Sequence, residues 1–182
     1  MTGTARIAAV ATAGLVCGAC SGPTGPDTGP DPAPSLTSLR LEGAVGSLQQ
    51  LAFVALEGVA TGDRARLEGV RLTEYQHNVL VWPELPASRP EANYPVDWAW
   101  QNISVRNHRA LGRLVARYEG HNLSLLGVEC REDPELFASF RVLKDCWVTY
   151  LMDRERAGEE QFFKYVLDWN GQYKIFRYYD PD

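Results

Sequence analysis

An α+β fold, with N-terminal helices packed on a curved antiparallel sheet of four to six strands, is predicted by three observations. Apolar residues at 45, 48, 51, 52, 55, 56 and 59 recur with the period of a helix. After residue 122 the period falls to two, as in Cys146, Val148, Tyr150 and Met152, or Phe163, Tyr165, Leu167 and Trp169. Between two such runs stands Asn170-Gly171, the best two-residue hairpin signal in the chain. Helices first and strands last predict a layered domain whose helices cover one sheet face.

The chain opens with Arg6, an apolar run from Ile7 to Val16, and then Cys17-Gly18-Ala19-Cys20-Ser21. That run has the length of an export-signal core and falls well short of the ~20 residues of a membrane-spanning helix. Gly18 and Ala19 are small, as a signal peptidase requires. The segment resembles a bacterial lipoprotein lipobox, with Cys17 where leucine is usual. The resemblance implies removal of residues 1–19, acylation of Cys20, and attachment to a membrane of the cell envelope through that lipid. Ser21 implies the outer membrane in a diderm host; the alternative is an ordinary secretory signal and a secreted or periplasmic protein. Residues 21–35 hold five prolines and three glycines with almost nothing apolar, which predicts an extended tether. Residues 36–182 then have the length of a single domain with its own core.

Within that domain the helical stripe predicts a first helix over 45–60, stopped by Gly62. Asp63 caps a short second helix to about Val70. Thr73 to Gln76 fits a capping box, so a third helix starts there and ends near Trp82, ahead of Pro83. Four prolines over 83–96 predict a long ordered loop. Ser104 is the expected cap of a fourth helix, with Leu111, Leu114, Val115 and Tyr118 on one face and Gly120 as its stop. Strands are expected at 123–130, 136–143, 146–153, 163–169 and 172–179.

On that strand reading Cys130 and Cys146 lie at opposite ends of a middle strand, roughly 20 Å apart at ~3.3 Å per residue. A disulfide tolerates ~6 Å, so two separate buried thiols are expected. Neither cysteine has a partner at ligand spacing, and no metal is expected. Removing residues 1–19 takes one Arg from 18 basic residues against 23 acidic, leaving a balance near −6. Such a charge argues against nucleic acid as a partner.

Three N-terminal helices, a helix before the sheet, long strands and the aromatic ending Tyr173-Lys174-Ile175-Phe176-Arg177-Tyr178-Tyr179 resemble the nuclear-transport-factor-2-like superfamily. Trp169-Asn170-Gly171-Gln172-Tyr173-Lys174-Ile175 is similar to a closing motif common there. The resemblance implies a cone in which one sheet bends around a pocket. It also implies either a binding module or a small isomerase, dehydratase or cyclase, with a homodimer formed through the outer sheet face. A ferredoxin-like or lipocalin-like sheet is the alternative, and fold alone chooses no function.

The region from Val81 to Asn102 carries Trp82, Trp98, Trp100 and Tyr94 around a proline-rich loop. Its tryptophans are either the apolar walls of a pocket mouth, with Asn102 or Gln101 as polar handle, or plugs in the end of the cone. His77, Glu74, Asp97 and His108 are the acid–base candidates, each with a bland reading: His77 as a boundary residue of a half-exposed helix, Asp97 as a cap. His121, after the Gly120 stop, is expected in solvent. No nucleophile elbow, phosphate loop or zinc-protease motif is present, and no cofactor is implied. The sequence therefore points to a membrane-anchored module for a small apolar ligand or a protein partner. The possible pocket comprises Trp82, Trp98, Trp100, Asn102 and His77, and an acid–base enzyme is the alternative.

Overall fold

A computed structural model of the protein describes residues 39–181. Cys20, the expected export signal and the whole of the expected tether over 21–35 lie outside the described residues. Helices precede a four-stranded antiparallel sheet in the order β1-β2-β3-β4, so the fold is α+β. The strands are β1 Leu123–Leu136, β2 Arg141–Met152, β3 Arg156–Trp169 and β4 Gln172–Tyr178.

Helix α1 spans Leu48–Thr61 and buries Leu51, Ala52, Ala55, Leu56 and Val59. It starts later than its apolar stripe because the Ser47 hydroxyl accepts from the Gln50 amide at 3.1 Å, while Val45 is drawn into a bridge with Tyr173. Gly62 ends it at φ 68°, where a Cβ would strike the Glu119 side chain. Asp63 caps α2, Arg64–Gly69, through the Arg66 amide.

Thr73 and Gln76 form the reciprocal capping pair: the Thr73 amide donates to Gln76 Oε1 at 3.1 Å, and the Gln76 amide to Thr73 Oγ1 at 3.2 Å. The helix they open is a π-helix, Gln76–Val81, rather than an α-helix. Its wider turn places Gln76 and Val81, five residues apart, on the same buried side.

Three short 3₁₀ turns, Trp82–Glu84, Pro86–Ser88 and Pro90–Ala92, then form the proline-rich loop, each with proline in its first two positions. Helix α3 begins at Val96, not at Ser104, and runs to Tyr118. Pro95 is tolerated at its N-cap, Asp97 favours its first turn, and Ala99 and Trp100 extend the buried stripe upstream.

The sheet corrects the expected strand boundaries. Asp133-Pro134 and Lys144-Asp145 look like breaks, yet both lie inside long strands. Pro134 sits on edge strand β1, where a missing amide is harmless. Asp145 stays in β2 with φ 53°. The true reversal is Phe137–Phe140, closed by the Phe137 amide donating to the Phe140 carbonyl at 2.9 Å. Cys130 therefore lies directly opposite Cys146 in the ladder, with a Cα–Cα distance of 3.9 Å, and the two form a disulfide. The expectation of separate thiols fails because it placed a strand where the turn is.

Register shifts interrupt all three ladders. In the last, Tyr165 opposes Arg177 and Val166 opposes Ile175, so Phe176 is an extra residue on β4. Bulges of this kind bend a sheet and re-aim side chains. The outer edge of β4 is nevertheless sealed along its length. Val45 exchanges both backbone bonds with Tyr173, the Leu72 amide donates to the Ile175 carbonyl, and the Ile175 amide donates to the Val70 carbonyl. At the bulge the buried Asn107 side chain takes over: Nδ2 donates to the Phe176 carbonyl at 3.3 Å, and Oδ1 accepts from the Tyr178 amide at 2.8 Å.

Two apolar clusters result. The larger joins α1, α2 and α3 to the sheet around Leu51, Leu114, Val148 and Phe163. The smaller gathers Leu41, Leu72, Val81, Phe140, Val142, Leu167, Trp169 and Phe176.

Candidate ligand-binding cleft

A cleft of about 260 Å³ opens beside the smaller cluster. Its walls come from five separate stretches of chain: Leu85 from the proline loop, Ile103 from α3, Phe137 and Val142 from the β1–β2 hairpin, Tyr165 from β3, and Phe176 from β4. Glu135 and Arg177 supply its charges. Six of the eight lining residues are apolar or aromatic, the composition that favours an apolar ligand with few polar contacts.

The proline loop is latched across this region. Glu84 Oε2 accepts the Ser139 amide at 3.0 Å, tying the loop to the β1–β2 turn. Ser88 Oγ donates back to the Leu85 carbonyl at 2.8 Å, which holds the loop's own curve. Beneath it Phe137 stacks on Phe140 at 4.6 Å, and Phe140 on Trp169 at 5.7 Å.

Phe176 is the partition of the site. One neighbour is Tyr165, at 6.3 Å between ring centres; another is His77, at 5.9 Å. His77 is fully buried in a box of Trp82 at 5.8 Å, Trp100 at 5.4 Å and Phe176. The Arg71 guanidinium lies 5.6 Å from the Trp100 ring centre. His77 Nδ1 meets Asn78 Oδ1 at 2.6 Å, so Nδ1 carries the proton. Nε2 is buried without a hydrogen-bond partner. Burial holds the imidazole below its ordinary pKa, opposed by the bond to Asn78 and the charge of Glu74, so it is neutral at pH 7.

The five residues marked in the sequence separate into two places. His77, Trp82 and Trp100 come together in the aromatic box, and burial replaces the half-exposed setting expected for His77. Trp98 and Asn102 instead share a shallow groove on the outer face of α3 with Gln101, Val105, Arg106 and Arg109. There Trp98 is half-exposed and packs edge-on to Tyr94 at 4.7 Å, and Asn102 Oδ1 accepts from Arg106 Nε at 3.0 Å. None of the five lines the apolar cleft. Asp97 and His108 are exposed on α3, Glu74 is exposed beside the π-helix, and His121 Nδ1 meets Asp153 at 2.9 Å at the surface. Among the described residues no three His, Cys, Asp or Glu side chains converge as a metal site.

The sequence reading missed the cleft residues themselves and Asn107. A polar residue on the apolar stripe of α3, between Ile103 and Leu111, was the one available signal for Asn107. Nothing local marks Phe176 as a bulge. No protein-family model, no curated protein and no solved structure matches this chain.

Proposed function

We propose that the protein is a lipid-anchored component of the cell envelope whose α+β domain, nuclear-transport-factor-2-like in layout, binds a small apolar ligand. The observation that carries the binding reading is the cleft under the Glu84–Ser139 latch, apolar on its walls and charged only at Glu135 and Arg177. Helices followed by an antiparallel meander with a bulged, aromatic last strand support the layout. The Cys130–Cys146 disulfide supports export, since such bonds persist in oxidising compartments. The Cys20 lipobox supports the anchor. Among the described residues no helix is long and apolar enough to cross a membrane.

Binding is tested by titrating the protein with naphthalene-sized fluorescent probes, comparing wild type with Leu85→Arg. The expected outcome is a loss of affinity of about tenfold or more at unchanged melting temperature, because a charge enters an apolar wall. Equal affinity in both proteins rejects the cleft. The anchor is tested separately by Cys20→Ala, which should abolish acyl labelling and free the protein from membranes; unchanged membrane fractionation rejects it. The second reading, an acid–base enzyme, is favoured by the neutral buried imidazole of His77. Exchange of solvent deuterium into a bound carbon acid would decide for it.

A further inference from the structure

One buried polar atom of the aromatic box has no hydrogen-bond partner. His77 commits Nδ1 to Asn78, which leaves Nε2 as a lone-pair acceptor with no donor, in a residue with no exposed surface. A buried acceptor without a partner costs folding free energy that an apolar residue of the same shape would not. The walls of the box, Trp82, Trp100 and Phe176, are aromatic, and Asn78 engages only Nδ1, so neither explains an acceptor at Nε2.

Phe176 touches both sides: its ring centre lies 5.9 Å from that of His77, and it lines the cleft. It is not held like an ordinary strand residue: it is the extra residue of a bulge whose backbone is fixed by Asn107. The backbone is thus anchored, and a turn of this buried ring would repack its neighbours His77 and Tyr165 without breaking a ladder hydrogen bond.

We infer that the ligand of the cleft is an apolar ring compound bearing one hydroxyl or N–H donor, and that His77 Nε2 accepts this donor when the Phe176 ring turns aside. The inference rests on the cleft being a ligand site, and it adds the chemical class. Phe176 in its resting position shields the imidazole; turned, it joins the box to the cleft. The ligand's apolar body lies between Leu85, Ile103, Val142 and Tyr165. Its donor meets the one buried acceptor of the box that lacks a partner. A ligand of the same shape without the donor gains only the apolar contacts and leaves Nε2 unsatisfied, which is the asymmetry that gives hydrogen-bonding sites their selectivity.

The test is a calorimetric titration of the full chain carrying Cys20→Ala, which keeps acyl chains and detergent out of the cell, with 2-naphthol and its isostere 2-methylnaphthalene. The methyl compound leaves water more readily, so an apolar cleft alone binds it more tightly. With His77 as acceptor, 2-naphthol binds about tenfold tighter than the methyl compound. That preference is lost in His77→Phe and retained in His77→Gln, which keeps an acceptor. Tighter binding of 2-methylnaphthalene to the wild-type site, or an unchanged preference in His77→Phe, overturns the inference and leaves the cleft standing. Should His77→Phe fail to fold, the order of the two probes on the wild-type site still decides. Failure of both probes to bind overturns the ligand reading itself and the inference with it.

Discussion

Asn107 does by one side chain what a neighbouring strand does elsewhere along β4. Its amide satisfies a backbone carbonyl and a backbone N–H that the bulge leaves without ladder partners. Asn107→Leu keeps the branched shape and strands both groups in a buried site, at about 1–3 kcal/mol for each. A fall in the denaturant midpoint, together with faster hydrogen exchange at the Tyr178 amide, is the expected result. Unchanged exchange there would mean that the bulge holds itself. Lys174 is a charged residue in an interior position. Its Nζ donates to the Glu42 carbonyl at 2.5 Å, and burial lowers its pKa from 10.5 to about 8, with Glu42 opposing and Arg71 adding to the shift. Between those values the unfolded chain holds the proton and the folded chain does not, so this group makes stability rise with pH across that interval. Lys174→Met should flatten the rise in a series of melts from pH 8 upward. At this scale the sequence was legible where the chemistry is local, as at the Asp63 cap and the Thr73–Gln76 pair. The full burial of His77, which the sequence marked as a candidate, and the role of Asn107 escaped because they depend on rings and backbone far away in the chain.

Between elements, what the sequence hides is a matter of where a break is real. Proline at 134 and the Lys144-Asp145 pair carry the ordinary marks of turns, yet the strands run through both, β1 with all of Arg131–Leu136 exposed and a register shift at Pro134. Only the pairing of β1 with β2 shows the reversal at Phe137–Phe140, and with it the meeting of Cys130 and Cys146. The disulfide closes a loop with a sequence separation of 16, for which chain-entropy arguments give about 3 kcal/mol. A Cys130→Ala, Cys146→Ala double variant should lose stability on that scale by denaturant unfolding. No loss would mean that the β1–β2 hairpin is already closed in the unfolded ensemble. The same logic explains α3. Val96, Ala99, Trp100 and Ile103 follow the helical spacing i, i+3, i+4, i+7, a stripe that the reading of Ser104 as the cap passed over and that buries Ala99 and Trp100 in the core.

Across the whole molecule the two sheet edges are treated differently. β4 is sealed by the segment around Val45, by Val70–Leu72 and by Asn107. β1 is the other edge, and its exposed positions include Glu129, Arg131, Glu132, Asp133 and Glu135 with Pro134 among them, the charges and proline that discourage edge pairing. The first described residues are clamped as well: Gln172 Oε1 accepts the Leu41 amide at 2.8 Å and its Nε2 donates to the Leu39 carbonyl at 2.8 Å. Gln76 Nε2 and Lys174 Nζ both donate to the Glu42 carbonyl. Deleting residues 1–46 should therefore lower the melting temperature and produce oligomers on size exclusion, whereas deleting 1–35 should do neither. Equal behaviour of the two truncations would show that the clamp is dispensable.

That clamp joins contacts about 130 residues apart in the chain, for Leu41 with Gln172 a separation of 131. For an exported chain, which enters a translocation channel amino-terminus first, the timing matters. Leu41, Glu42 and Val45 are through long before Gln172–Tyr178 arrives, and Asn107 meanwhile has no backbone to hold. Closures over such distances are slow, and this one waits for the final strand. The domain is a latch whose bolt is made last; for the exported chain proposed above, that order would keep it threadable until it reached the side where Cys130 and Cys146 can be oxidised.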